Sequence, residues 1–329
     1  MKRERELAKV GIYPIGEIEY ETKIKIARLA TEKLAGGFSC LLEQYNELLI
    51  RLENCKMYYA KIDSNVGKVN YFYKDGAIYF SDKVDLEIID ATILHECIHF
   101  LQDSRNIDGS LNRLGLCRFS EFKVLGLGIN EGAVQYIASK AMEEKIHRRI
   151  EKGLIYFTLN ENYYPFLTSL FIQLTILMGE EKLVNSTINS KQEFEEDFFN
   201  LFEENANKLL SKMDHLMDLE VQMDNEEKKI KLYFELQELI ITTYFTKAAK
   251  YAEKVEEMER YKEQLEQLQQ ILGRNQEINY EDKCEELRDI LNQRYIKLSR
   301  QTSKNSLLVI YQSKLMQFLK RILSYLGEK

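Results

Sequence analysis

Apolar positions along this chain recur mostly at intervals of three and four, and only once at an interval of two. From about 19 to 51, Ile24, Ile26, Ala27, Leu29, Ala30 and Leu34 keep mostly helical spacing; Gly36-Gly37 interrupts it, and Leu41, Leu42, Tyr45, Leu48 and Leu49 resume it. The period changes to two at Val69, Tyr71 and Tyr73, which alternate with Lys68, Asn70 and Phe72. Asp75-Gly76 supplies a turn and Ala77-Ile78-Tyr79-Phe80 returns, so a β-hairpin is expected. Leu86, Ile88, Ile89, Ile93, Leu94, Cys97, Ile98 and Leu101 then put apolar side chains on most sides of a helix over 86–103. Asp82 or Asp85 can cap its start, and no Pro or Gly falls inside it. Such a helix is buried inside a domain.

Residues 103–128 are looser and hold Gly109, Gly115, Gly126 and Gly128; a second helix is expected from 130. Beyond Tyr163 the pattern is helical almost without punctuation. Residues 165–178 read as an apolar, buried helix, and 191–219 and 226–271 as long amphipathic stretches. In the last of these, Tyr251, Val255, Met258, Leu265, Leu268 and Leu272 suit a helical hairpin or a short coiled coil. Two further helices, over 280–300 and 306–326, complete a helical lobe. The expected fold is α+β and predominantly helical, with a small antiparallel sheet in 1–160 and a large helical lobe over 161–329.

Composition narrows the classes of function. A 329-residue chain that is 45% hydrophobic and 30% charged has enough apolar surface for a sizeable core. A formal net charge of -7 supplies no basic excess to neutralise phosphates, which excludes nucleic acid as a partner. The first twenty residues are charged and lack the apolar stretch of a secretory signal, and no run of about 18 apolar residues occurs, so no membrane partner is expected. Cys40, Cys55, Cys97, Cys117 and Cys284 are odd in number and show no C-x-x-C pairing. They read as reduced thiols and point to a cytoplasmic protein.

The candidate chemistry lies within the buried helix. His95-Glu96-Cys97-Ile98-His99 is an H-E-x-x-H pattern and holds two of the four histidines in the chain. Residues four apart share one helix face, so His95 and His99 can present two imidazoles to one metal ion with Glu96 beside them. Two imidazoles buried near an anionic carboxylate need a partner, because an unpaired charge in the interior is costly, and a metal ion is such a partner. Cys97 reads as helix packing. A catalytic zinc takes three protein ligands and keeps one position open, so a third ligand is required. Asp103, one turn beyond His99, Asp108 in the following turn, and Glu131 in Asn130-Glu131-Gly132-Ala133-Val134-Gln135-Tyr136 are the candidates. The metzincin extension is absent, since Gln102 and Arg105 stand where it places Gly and His.

H-E-C-I-H followed by N-E-G and then Tyr136 resembles the gluzincin zinc peptidases, the group of thermolysin and aminopeptidase N. The second motif of the aminopeptidase branch is N-E-G-x-x-x-Y, which this chain carries from Asn130 to Tyr136. The resemblance covers roughly residues 66–150. It implies a zincin-like catalytic unit in 1–160, with His95, His99 and Glu131 as ligands of one zinc ion and Glu96 as general base. The implied activity is that of a zinc metallopeptidase, a hydrolase acting on a peptide or protein substrate. Gln135 stands where thermolysin-like enzymes place an acidic group behind a ligand, and its amide oxygen can accept from an imidazole N–H. In zinc peptidases of this type a sheet packs on the motif helix and its edge strand can bind an extended peptide, a role the hairpin at 69–80 could fill. The donor that meets the developing oxyanion stays open among Tyr163, Tyr164 and His215. His147 is set aside because one continuous helix from Glu131 would turn it to the opposite face. Two other readings compete: a non-catalytic helical interaction protein with a zinc site, and a zinc hydrolase of a non-peptide substrate. The helical lobe offers a surface for protein–protein contact.

Overall fold

The computed structural model of the chain describes residues 2–63, 66–119, 124–222, 225–302 and 316. The first elements are α1 (Lys2–Lys9), β1 (Ile12–Glu17), α2 (Tyr20–Gly37), α3 (Ser39–Leu42), α4 (Tyr45–Glu53), β2 (Lys56–Ile62), β3 (Val69–Phe72) and β4 (Ala77–Ser81). They are followed by α5 (Ala91–Gln102), β5 (Asp103–Arg105), β6 (Leu111–Leu114), β7 (Arg118–Phe119), β8 (Val124–Leu125), α6 (Leu127–Ala141), β9 (His147–Glu151) and β10 (Leu154–Thr158). The remainder is α7 (Pro165–Met178), α8 (Glu180–Asn189), α9 (Glu193–Phe202), α10 (Ala206–Val221), α11 (Glu226–Tyr251) and α12 (Val255–Ile271), and residues 281–302 are helical. The fold is α+β and predominantly helical. The helix expected over 306–326 lies almost wholly outside the described residues. Among the described residues no helix is long and apolar enough to cross a membrane.

Two compact units divide the chain, Met1–Ile240 with Ile271–Asn279, and Ile241–Gln270 with Tyr280–Lys329. The first includes α7 to α10, which the sequence pattern groups with the helical lobe. Within the second, Arg294 donates to the Ala252 carbonyl at 3.1 Å through Nε, and Arg288 donates to Gln269 at 2.8 Å.

The four-stranded sheet of the first unit has the order β1-β2-β4-β3. Its outer pairs are antiparallel and β2 runs parallel to β4, so the expected antiparallel sheet is corrected to a mixed one. The hairpin itself forms as its sequence predicts, with Phe72 opposite Ala77 and the Gly76 N–H donating to the Phe72 carbonyl at 3.1 Å. Because β3 folds back on the far side of β4, β2 takes the other edge of β4. Central β4 is buried along its whole length, which is why it reads as a continuous apolar run. On one face Leu7, Ile12, Ala60, Phe72, Ala77 and Tyr79 pack together. On the other, α5 covers β3 and β4, and Tyr71 meets Phe100 edge to face at 6.1 Å between centroids. Strand β1 escapes the sequence pattern because a register shift at Pro14 and Gly16 breaks its alternation.

Helix α5 starts at Ala91 and not at 86. Its cap is Asp90, whose carboxylate accepts from the Ile93 N–H at 2.8 Å. Asp85 instead accepts from the Glu87 N–H at 2.9 Å in the preceding turn, and Ile88 is left exposed outside the helix. Helix α6 starts at Leu127 with Gly126 as its cap, so Asn130 lies inside the helix and does not cap it. Packed against α5, α7, α8 and α10, α6 is buried almost all round. Gly128 and Gly132 permit that approach: an added Cβ would stand 2.2 Å from the Met213 carbonyl oxygen and 2.9 Å from that of Leu167, respectively. Since α6 ends at Ala141, His147 opens β9 and does not continue the helix, which corrects the reason for setting it aside.

Helix α7 forms over the expected 165–178, apolar on all sides, with Pro165 in its first turn. The 191–219 stretch is broken by a short 3₁₀ turn at Glu203–Asn205, and the 226–271 stretch breaks between α11 and α12. Helix α10 serves two neighbours. Asp214 accepts from the Gly126 and Gly128 N–H groups at 3.1 and 2.9 Å, and Glu220 accepts from those of Phe166 and Leu167 at 2.7 and 3.3 Å. Each carboxylate satisfies donors that the start of a helix leaves unpaired.

Burial pushes the Glu220 carboxyl up to about 8, against the two amide donors and Lys229, which pull it down. Folded Glu220 therefore holds its proton in a range where the unfolded chain, near 4.5, has released it. The stability from that proton is fully present below about 4.5 and is lost as pH rises through about 8. Glu220→Gln keeps the acceptor and removes the titration. Between about pH 5 and 8.5 the variant should gain on the natural chain by on the order of 3 kcal/mol in denaturant unfolding. A stability difference that stays flat across that window would place the proton elsewhere.

Candidate metal centre

Helix α5 turns His95 and His99 toward α6, where Glu131 meets them. His95 Nε2 lies 3.3 Å from Glu131 Oε2, His99 Nε2 lies 3.4 Å from Oε1, and the two Nε2 atoms are 3.0 Å apart. Ligand atoms held about 2.0–2.1 Å from a tetrahedral ion stand about 3.3–3.4 Å from one another. Each imidazole nitrogen meets a different oxygen of Glu131 near that spacing, and one ligand atom from each of the three residues lies within 4.8 Å of the others. Both histidines are buried, and the Glu131 side chain is 17% exposed. Among the described residues this is the one cluster of His, Cys, Asp or Glu with the spacing to hold a metal ion. Two imidazoles and one carboxylate, with a side left open, suit an ion that keeps a free coordination position.

The other nitrogen of each imidazole is held by a buried amide. The Gln135 amide oxygen accepts from His95 Nδ1–H at 3.1 Å, and Gln135 in turn donates to Ser139 at 3.0 Å. The Gln102 amide oxygen accepts from His99 Nδ1–H at 3.2 Å. An amide oxygen can only accept, so both Nδ1 atoms carry a proton and both Nε2 atoms face the cluster. Gln102 and Asn130 exchange two amide hydrogen bonds, each of 3.1 Å, and Asn130 also accepts from the Leu116 N–H at 3.0 Å. Asn130 therefore ties α6 to α5 and to the loop before it. Gln102 was not among the candidates, although three positions beyond His99 it shares that helix face.

Without a metal ion the positive charge in the cluster is a proton. Burial pulls the His99 imidazole down, but Glu131, with Glu96 adding to it, holds it up to about 9. Burial likewise pushes Glu131 up, and the two imidazoles outweigh it, keeping the carboxyl well below the usual carboxylate range.

Glu96 stands beside the cluster and outside it. Its carboxylate accepts from the Tyr71 N–H of edge strand β3 at 2.7 Å. A cavity of about 480 Å³ opens here, lined by His95, Glu96, His99 and Glu131 and by Tyr163 and Tyr164. Tyr164 caps α7 in the left-handed region, φ 49°. Burial, followed by the charges of Glu131 and Glu96, pushes its phenol up. Tyr163 is half exposed, and His215 is exposed and does not line the cavity.

The rival third ligands are engaged elsewhere. Asp103 accepts from the Tyr71 hydroxyl and, at 2.5 Å, from Arg105; exposed Asp108 accepts from the N–H and hydroxyl of Ser110 at 2.9 and 2.6 Å. Cys97 is buried in the core with its thiol pushed by burial up to about 12, in keeping with packing. Tyr136, the last residue of the N-E-G motif, donates to Glu180 and does not line the cavity. Comparison with family models, curated proteins and solved structures gives no match.

A metal ion must displace the proton on His99, so divalent-metal affinity should rise about tenfold per pH unit from neutrality and level off near 9. About one proton per ion should be released at neutral pH, as titration calorimetry in buffers of different ionisation enthalpy can count. The metal-free chain holds this proton more tightly than the unfolded chain, so its stability should fall over the window from about 6.5 to 9. An affinity that is independent of pH would show that His99 carries no proton. Glu131→Ala should weaken metal binding by about a hundredfold or more, and Asp108→Ala should leave it unchanged, in competition with a chromophoric chelator. The opposite ranking would remove Glu131 from the site.

Proposed function

We propose that this chain is a zinc-dependent metallopeptidase of the gluzincin kind, with a zincin-like catalytic unit that carries α5, α6 and the sheet. The observation that supports this most is that His95, His99 and Glu131 bring ligand atoms within 4.8 Å of one another while Glu96 lies in the same cavity outside the donor set. A donor set of two imidazoles and one carboxylate suits zinc. Its open side favours chemistry over a purely structural ion, whose sites are closed and four-coordinate.

Zinc held by these three residues supplies Lewis acidity, lowering the pKa of a water toward about 7 and polarising a carbonyl group. Glu96 accepts the proton of the attacking water and passes it to the amine nitrogen that leaves. The Tyr71 N–H fixes one oxygen of that carboxylate and so aims the other. Tyr164 keeps its phenolic proton at neutral pH, as an ordinary phenol does, with burial and the charges of Glu131, Glu96 and Glu220 raising it further, and it donates toward the oxygen on which negative charge develops. The outer edge of β3 runs along the cavity, and the main-chain groups there that Glu96 and Arg105 do not engage can meet an extended substrate.

The test is Glu96→Gln. The variant should hold about one zinc per chain, as the natural protein should, and keep its thermal stability. It should lose hydrolysis of an unbiased peptide library by about a thousandfold. Peptide cleavage that survives in the variant would take the base role from Glu96, and a natural chain purified from zinc-supplemented medium without zinc would remove the proposal.

A further inference from the structure

The cavity beside the cluster says what kind of chain it admits. Its walls away from the cluster are mostly apolar, with Val66 and Val69 at β3, Leu111 and Leu114 of β6, and Val124 and Leu127 ahead of and within α6; Asn70 and Thr92 add uncharged polar groups. Among the described residues that line it, the carboxylates are Glu96 and Glu131, and no Lys or Arg is present. Glu131 is bound to the two imidazoles, and Glu96, one oxygen held by the Tyr71 N–H, has its other oxygen committed to the attacking water in the proposed reaction, so neither is spare for an incoming ammonium group. The cation at the end of the strand, Arg105, is turned away to Asp103 at 2.5 Å and to the carbonyls of Gly109 and Tyr73.

The strand edge is limited in a related way. The Lys68 and Phe72 carbonyls point inward, accepting from Ser81 N–H at 2.8 Å and Gly76 N–H at 3.1 Å. The outward groups therefore belong to Val69, Tyr71 and Tyr73. Arg105 closes off the Tyr73 carbonyl and Glu96 takes the Tyr71 N–H, which leaves the N–H and carbonyl of Val69 and the carbonyl of Tyr71 to meet a chain in the cavity.

We propose that the site takes the interior of an extended, uncharged, apolar polypeptide segment and not a chain terminus, so that its cleavage is internal. This rests on the zinc peptidase reading. A terminal ammonium brought beside the cluster would need a spare carboxylate, and a terminal carboxylate would need a spare Arg or Lys. Burying either charge unpaired is costly, whereas leucine-like side chains gain from the apolar walls. Short main-chain pairing with Val69 and Tyr71 holds the segment without reading its side chains.

Hydroxamates, which chelate zinc, read this preference without turnover. On the zinc-loaded full chain, acetyl-Leu-Leu-hydroxamate is compared with the same compound bearing a free amine. A hydroxamate-headed isobutylsuccinyl-leucine is compared as its amide and as its free acid. Calorimetry should find the capped member of each pair at least tenfold tighter, and replacing leucine by lysine or aspartate should cost a similar factor. In a parallel digest, a peptide with an apolar centre and both ends capped should be cut internally at a rate within about threefold of its uncapped form. Tighter binding of the free amine or free acid, or stepwise release of terminal residues, overturns this inference alone. Failure of every hydroxamate to bind while zinc is present overturns the peptidase reading and this inference with it.

Discussion

The structure around the site depends on one carboxylate that is nearly out of water. Glu131 has to be matched by positive charge where it lies, and two imidazoles from another helix provide the place for it. That requirement forces α5 and α6 together, and the sequence of α6 makes the approach possible. Gly128 and Gly132 remove the side chains that would hold α6 off α10 and α7, and Asn130 exchanges amide hydrogen bonds with Gln102 across the α5–α6 contact. Asp214 then satisfies the first donors of α6, and Glu220 does the same for α7. The N-E-G triplet is thus explained residue by residue: Asn130 ties helices, Glu131 enters the cluster, and Gly132 allows a close crossing.

How much of this could be read from the sequence depends on how local the cause is. Helix α7 is apolar on every side and carries Pro165 at its start, and its span matches the pattern. The hairpin is written in Val69, Tyr71, Asp75 and Gly76, and it forms. The start of α5 was misplaced because Asp82, Asp85 and Asp90 are all possible caps, and only the fold decides that Asp90 accepts from Ile93. Strand β2 carries no clean alternation, since its buried residues, Met57 and Ala60, stand three apart and not two. At the site, His95 and His99 share a helix face by spacing alone, whereas only the N-E-G resemblance singles out Glu131 over Asp103 and Asp108, and it is the packing of α6 that brings it to the imidazoles. The braces from α10 were beyond reach, because Asp214 stands 88 positions from Gly126 and nothing near either residue hints at the contact.

Glu96 joins two parts of the proposed function in one hydrogen bond. Its partner is the main chain of β3, the strand whose edge faces the cavity, so the position of the base and the position of a docked chain are referred to the same few atoms. Tyr71 reinforces this from the other direction, since its hydroxyl is anchored on Asp103 at the end of α5. Helix and strand are thereby fixed to each other at both the main chain and the side chain of a single residue.

The amides behind the two imidazoles carry no charge. A divalent ion held by His95, His99 and Glu131 would meet a single formal negative charge and keep an excess of one positive charge, which an ionised Glu96 would offset. In the proposed reaction the proton that Glu96 takes up comes from the attacking water, so the total charge of the centre would stay the same while negative charge moved from the base to the oxygens nearest the ion, where the cavity would stabilise it most.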